Sequence, residues 1–255
     1  LSDAGWSLNF DDIESKMDES VRLFVLINPN NPTGSVAGSD DINRLISILA
    51  KWPNCILIAD EIYDGLDFSG RQVSAASLSD SVPVLTMNGV SKVYYAPGWR
   101  IGYMAIHDPI SSLAAVRDGI ERILRSRLCA STPAQLGYLA GLQQDRTWMN
   151  QYSNTVKERR DVCLARISKI QGLEVQNPEG AFYMFVKLTD EKWSNDDKSF
   201  VLQLLHEQHV LVVHGSGFSS EKGKGHFRLV FLPDVDTLNI AFDRIDTFLQ
   251  EHRIA

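Results

Sequence analysis

The chain has 255 residues, of which 44% are hydrophobic, enough for a large core organised as one or two domains. Its net charge of −7 argues against a nucleic-acid partner, which calls for basic patches. No apolar run approaches the roughly 18 residues of a membrane span, and Cys55, Cys129 and Cys163 form neither a disulfide framework nor a zinc pattern, so a reducing cytoplasm is the expected setting.

Residues 1–20 are polar, with a weak helical signal from Asp11 to Met17. The run Val21 to Ile27 is nearly continuously apolar, as expected of a parallel strand buried on both faces. It ends in the turn cluster Asn28-Pro29-Asn30-Asn31-Pro32-Thr33-Gly34. Ser39 is placed to cap a helix in which Ile42, Leu45, Ile46 and Leu49 share one face. A second buried strand, Cys55 to Ala59, runs into Asp60-Glu61-Ile62-Tyr63. A third, Val82 to Met87, runs into Asn88-Gly89-Val90-Ser91-Lys92. A fourth follows Arg100, from Ile101 to Ile106.

This alternation of strand and helix predicts a βαβ sheet. If its strands are parallel, Asn31, Asp60 with Tyr63, and Lys92 emerge on one carboxyl edge. Helices are expected at about 110–127, 133–145 and 148–170. Strands from Ala181 to Val186, Val210 to Val213 and Phe227 to Phe231 follow, with helices from Phe200 to Gln208 and over Leu238 to Phe248. The expected architecture is a three-layer α/β/α, mostly parallel sheet over residues 1–150, followed by a smaller α+β domain over 151–255.

Lys92, just past a strand end, has two readings: a solvated loop lysine, or one that forms a Schiff base with a carbonyl cofactor. Arg100, flanked by Gly98 and Gly102, suits a phosphate approached closely by backbone. An aromatic aldehyde cofactor with a ring nitrogen and a phosphate needs a lysine, a carboxylate for that nitrogen, donors to its phenolic oxygen and cations for its phosphate. Lys92, Asp60, Tyr63 with Asn31, and Arg100 match those needs role for role. Arg228, among Phe227, Leu229 and Val230, reads either as an arginine on an exposed strand face or as a ligand clamp. His206 and His209 lie three apart without acidic or cysteine partners and read as solvated helix polars. Trp99 is expected to pack, and Lys157 to Asp161 to form a solvated helix face.

In their order and spacing, the Asn28–Gly34 cluster, Asp60-Glu61-Ile62-Tyr63, Ser91-Lys92, Gly98-Trp99-Arg100-Ile101-Gly102-Tyr103 and Phe227-Arg228-Leu229-Val230 resemble the class I/II aminotransferases of pyridoxal-phosphate fold type I, across essentially the whole chain. The resemblance implies an amino-group transfer between an amino acid and a 2-oxo acid, with pyridoxal 5′-phosphate as cofactor and a cytoplasmic homodimer as the working form. It implies that Lys92 bonds covalently to the cofactor and shuttles the substrate Cα proton, that Asp60 pairs with the ring nitrogen, and that Tyr63 and Asn31 bond the phenolic oxygen. It further implies that Arg100 binds the phosphate and that Arg228, with Asn31 in reach, grips the substrate carboxylate.

Arg127 to Gln135 and Gly180 to Phe185 look most like the alanine-type and broad-specificity branches. A carbon–sulfur β-lyase and a non-catalytic ligand-sensing domain are alternatives on the same scaffold. Two departures stand out. Gly89 takes the place where many members carry Ser. Family members also have well over a hundred residues before the Asn-Pro cluster where this chain has 27, so the expectation is a fragment that is not a competent transaminase by itself.

Overall fold

The computed structural model describes residues 5–253. The chain divides into two compact units: one holds the chain up to Pro29 together with Val36–Asn150, and the other holds Asn30–Ser35 together with the chain from Gln151 onward.

The first unit opens with α1 (Phe10–Lys16), followed by β1 (Leu23–Ile27), α2 (Ser39–Leu49), β2 (Ile56–Asp60), β3 (Val84–Gly89), the short α3 (Val90–Val93) and β4 (Gly102–His107). The strands form one sheet in the order β1-β2-β3-β4, the first three parallel and the fourth antiparallel to β3. β4 reverses because only α3 and a 3-10 turn at Pro97–Trp99 separate it from β3, too little chain for a parallel crossover.

The α2 side of the sheet is the core of the unit. Ile42, Leu45 and Leu49 pack with Leu26, Leu57, Ala59 and Val84. Gly38, not Ser39, is the N-cap of α2. Its N–H donates to Asp41 Oδ2 at 3.1 Å, and Ser39 becomes the first helical residue. The expectation that the first strand is buried on both faces fails. Leu23 and Val25 are 52% and 58% exposed, because α2 covers the face that carries Phe24 and Leu26 and the face that carries Leu23 and Val25 lies open.

Two further helices follow, α4 (Ala114–Arg127) and α5 (Thr132–Gln143). α5 packs Ala134 and Tyr138 against Val90 and Ile101. The long helix α6 (Thr147–Ile167) carries the chain past Asn150 into the second unit.

There β5 (Leu173–Val175), β6 (Tyr183–Leu188), α7 (Glu191–Ser194), α8 (Asp197–Gln208), β7 (Val213–His214), β8 (His226–Val230) and α9 (Val235–Glu251) build an antiparallel sheet in the order β5-β6-β8-β7 with α8 packed on it and α9 against α8. Trp193, Phe200, Phe227, Phe231, Phe242 and Phe248 are fully buried in its core, each worth about 1.5–3 kcal/mol relative to exposure. The strand expected from Val210 shrinks to the two residues of β7. Arg160 is also not part of a solvated face. It is buried, donating to Pro178 O at 3.0 Å and pairing with Asp161, while Lys157 and Glu158 are exposed as expected. No helix of the described residues is long and apolar enough to cross a membrane.

Candidate active site

In the first unit the sheet register places the cofactor-type residues. Ile27 pairs with Asp60, and Asp60 with Met87, so Asp60 and the end of β3 share one edge. Because β4 is antiparallel, Gly89 pairs with Gly102, and the connection carrying Lys92 and Arg100 leaves and returns at that same edge. The reversal that the alternation argument missed therefore brings Arg100 to the side of Lys92.

Asp60 is half-buried. Its Oδ1 accepts from Ile62 N at 3.1 Å, and among the described residues it has no ion-pair partner. A carboxylate in that state at a strand end is a ready partner for a cationic ring nitrogen. Tyr63 is buried at 3% exposure and Lys92 is half-buried on α3. Arg100 is exposed with φ +54, its Nη1 donating to Pro97 O at 2.7 Å. It borders a cleft of about 700 Å³ lined also by Trp99, Arg127, Cys129 and Ser131. Trp99 packs over Gly137 and Tyr94 over Gly141, where an added Cβ would lie 2.6 Å and 3.0 Å from the rings.

Gly89 stands where the family resemblance leads one to expect Ser, and the fold explains it. A Cβ there would sit 2.8 Å from Ile101 O, and one on Gly102 would sit 2.6 Å from Asn88 O. The two glycines let β3 and β4 approach closely at their paired ends. Burial raises the Glu61 carboxyl above its ordinary range, against donation from Ser74 Oγ at 2.9 Å and Ala75 N at 3.1 Å. Glu61 thereby ties the end of β2 to the loop before β3.

The Asn-Pro cluster is a knot of side-chain bonds. Asn28 Nδ2 donates to Ala37 O at 3.0 Å and Ala37 N donates to Asn28 Oδ1 at 2.9 Å. Thr33 Oγ1 bonds Asn30 Oδ1 at 2.8 Å, and both Asn–Pro peptide bonds are cis. Gly34, at φ +72, has no room for a side chain: a Cβ would lie 2.4 Å from Pro178 Cβ. Its carbonyl accepts from Glu179 N and Gly180 N, both at 2.8 Å, which fastens Asn30–Ser35 into the second unit.

That attachment delivers Asn31 to Arg228. Arg228 Nη1 donates to Asn31 Oδ1 at 2.9 Å, while Arg228 Nε is buried and finds no hydrogen-bond partner among the described residues. An arginine only donates, so the carbonyl end of Asn31 must face it, leaving Nδ2 as a donor for another group. Two residues to which the sequence assigned no individual role complete the set: Tyr183 and Phe218 both lie against the Arg228 guanidinium. Tyr183 could have been found only from the register, which pairs Phe185 with Arg228 and puts Tyr183 on the same face. His206 and His209 are exposed, and no cluster suited to a metal ion occurs among the described residues.

Known proteins resemble this chain along nearly its whole length. The family model for aminotransferase class I and II matches residues 1–245. A glutamate-pyruvate aminotransferase of Haemophilus influenzae is 34% identical over 98% of this chain and 63% of its own length. An alanine aminotransferase of Mycobacterium bovis is 34% identical over 98% of this chain and 58% of its own length. Among solved structures, an alanine aminotransferase from Pyrococcus furiosus superposes with a TM-score of 0.94 at 43% identity, over 99% of this chain and 63% of that one. The chain thus spans about three-fifths of the length of the relatives it matches. With its mixed sheet, its edge-clustered motifs and this likeness along its whole length, the chain belongs to the class I and II aminotransferases, on the fold of the type I pyridoxal-phosphate enzymes.

Proposed function

We propose that the protein is a pyridoxal-phosphate-dependent aminotransferase that moves an amino group between an amino acid of the alanine–glutamate kind and a 2-oxo acid, as a cytoplasmic homodimer. The observation that carries this reading is the shared sheet edge of Asp60, Lys92 and Arg100. The unpaired, half-buried Asp60 carboxylate suits the ring nitrogen of such a cofactor. The alanine and glutamate-pyruvate names of the relatives support the substrate class.

In this reading residues 1–150, apart from Asn30–Ser35, are the cofactor-binding domain, and residues 151–255, joined by Asn30–Ser35, the substrate-closing one. Pyridoxal phosphate, when bound, supplies an electron sink that makes the Cα proton of an amino acid acidic. Asp60 keeps the ring nitrogen protonated, which sustains the sink. Tyr63 offers its hydroxyl, and Asn31 its Nδ2, to the phenolic oxygen. Arg100 holds the phosphate as an exposed, always-charged fork. Lys92 would hold the cofactor and, as a free amine, would take the substrate Cα proton and give it back at C4′ of the cofactor. Arg228 binds the substrate carboxylate, its direction fixed by Asn31.

The test is half-transamination by the intact protein. Glutamate should convert the bound cofactor to its amine form with release of the 2-oxo acid, and pyruvate should convert it back with formation of alanine. Elimination of a β-substituent without amino transfer would instead place the protein among the lyases.

A further inference from the structure

Arg228 has to meet two demands at once. It must be held in one orientation, and it must keep N–H groups for a ligand. Hydrogen bonds satisfy the first at the expense of the second. Asn31 already takes Nη1, and Nε is left without a partner. Ring faces attract a guanidinium without consuming any N–H. Arg228 Cζ lies 4.6 Å over the Tyr183 ring and 4.9 Å over the Phe218 ring.

Tyr183 is placed by β6 itself. Phe218 is not on a strand. It belongs to the connection between β7 and β8, whose only regular element is the 3-10 turn Gly215–Gly217. Phe218 is 38% exposed, so its own burial does not fix it, although its ring meets Phe185 edge-on at 6.0 Å.

One carboxylate pins both ends of that connection. Asp197, 2% exposed at the start of α8, accepts from Ser216 N at 2.8 Å through Oδ2 and from Gly225 N at 3.4 Å through Oδ1. The backbone closes on itself between these points: a Cβ on Gly223 would lie 2.0 Å from Gly215 O, a contact only glycine permits. Phe218 N also donates to Gly215 O at 2.8 Å.

We infer that Phe218 is a positioning residue for Arg228: its ring holds the guanidinium without consuming any of the N–H groups a carboxylate needs, and buried Asp197 fixes the loop that carries it. This rests on the reading of Arg228 as the carboxylate-binding group.

The experiment uses the intact, cofactor-loaded protein and reads two quantities: calorimetric affinity for propionate, an unreactive monocarboxylate, and the split of KM against kcat for the amino acid. Arg228→Lys is the control for the underlying reading. Phe218→Leu should weaken propionate binding by about 3- to 10-fold, the range of a part-exposed cation–π contact, and raise KM in step. Phe218→Tyr, which keeps the ring, should restore both. If Arg228→Lys weakens propionate binding and Phe218→Leu does not, the inference is wrong while the role of Arg228 stands. If Arg228→Lys leaves propionate affinity unchanged, the role of Arg228 falls and the inference with it. Hydrogen exchange of the unaltered protein tests the anchor. Slow exchange of the Ser216 and Gly225 amides is expected, and exchange at the rate of open loop amides would overturn the part given to Asp197.

Discussion

Arg228 Nη1 and Asn31 Oδ1 meet at 2.9 Å across 197 positions of sequence, and both belong to the second compact unit although Asn31 follows the first strand of the first. The contact uses the only end of the Asn31 amide that an arginine can bond. Replacing Asn31 by Ala should cost about 1 kcal/mol of carboxylate affinity, roughly 5-fold. Asn31→Asp should be worse still by about tenfold, because its charge engages the Arg228 guanidinium and repels an incoming carboxylate. Titration with propionate measures both, and equal affinities for the Ala and Asp variants would contradict the arrangement.

Asp60 has no cation partner among the described residues, so its charge is available to a cofactor ring. Asp60→Asn keeps the size and the acceptor for Ile62 N, but not the charge. Activity should fall by roughly a hundredfold or more, a few kcal/mol for an ion pair broken on one side, with the fold intact. Steady-state rates together with circular dichroism test this, and near-normal turnover would remove Asp60 from its role.

Gly89 is required by space rather than by conformation, since its φ of −178° is ordinary extended backbone. Gly89→Ala places a methyl 2.8 Å from Ile101 O and should destabilise the protein by about 1–3 kcal/mol. Gly98→Ala, with nothing within 4 Å, is the matched comparison and should stay within about 0.5 kcal/mol. Urea unfolding of the two variants should separate them clearly.

His226 shares its face of β8 with Arg228 and stacks on Phe185 at 4.9 Å; burial lowers its pKa below the ordinary 6.5. Below pH 6.5 the unfolded chain therefore binds this proton before the folded one does. The stability that His226 contributes is present above pH 6.5 and lost as pH falls through and below it. Unfolding midpoints at pH 7.5 and 5.5 should differ less for His226→Gln than for the unaltered protein, and an equal or larger difference in the variant would contradict the effect.

The strands were legible because continuous apolar runs ending in polar turn residues are a local signal, and the Asp60, Lys92 and Arg100 stretches lie where those runs end. Direction was not legible: the residues of β4 read alike in either orientation, and only the short connection after Lys92 reverses it. Nor was burial, since Leu23 and Val25 have the composition of core yet lie on an uncovered face. The attachment of Asn30–Ser35 to the second unit depends on Gly34 meeting Pro178, Glu179 and Gly180. No local pattern encodes a contact that distant. Phe218 escaped notice for the same reason, its role being set by Asp197 and Arg228 rather than by its neighbours in sequence.

The central claim is that Lys92 holds the cofactor, and borohydride trapping tests it most directly. The intact protein is loaded with pyridoxal phosphate, reduced, digested and mapped by mass spectrometry. The account predicts one stable pyridoxyl label, on Lys92, and none at that position in Lys92→Arg. A label on a different lysine, or trapping undiminished in Lys92→Arg, would contradict it.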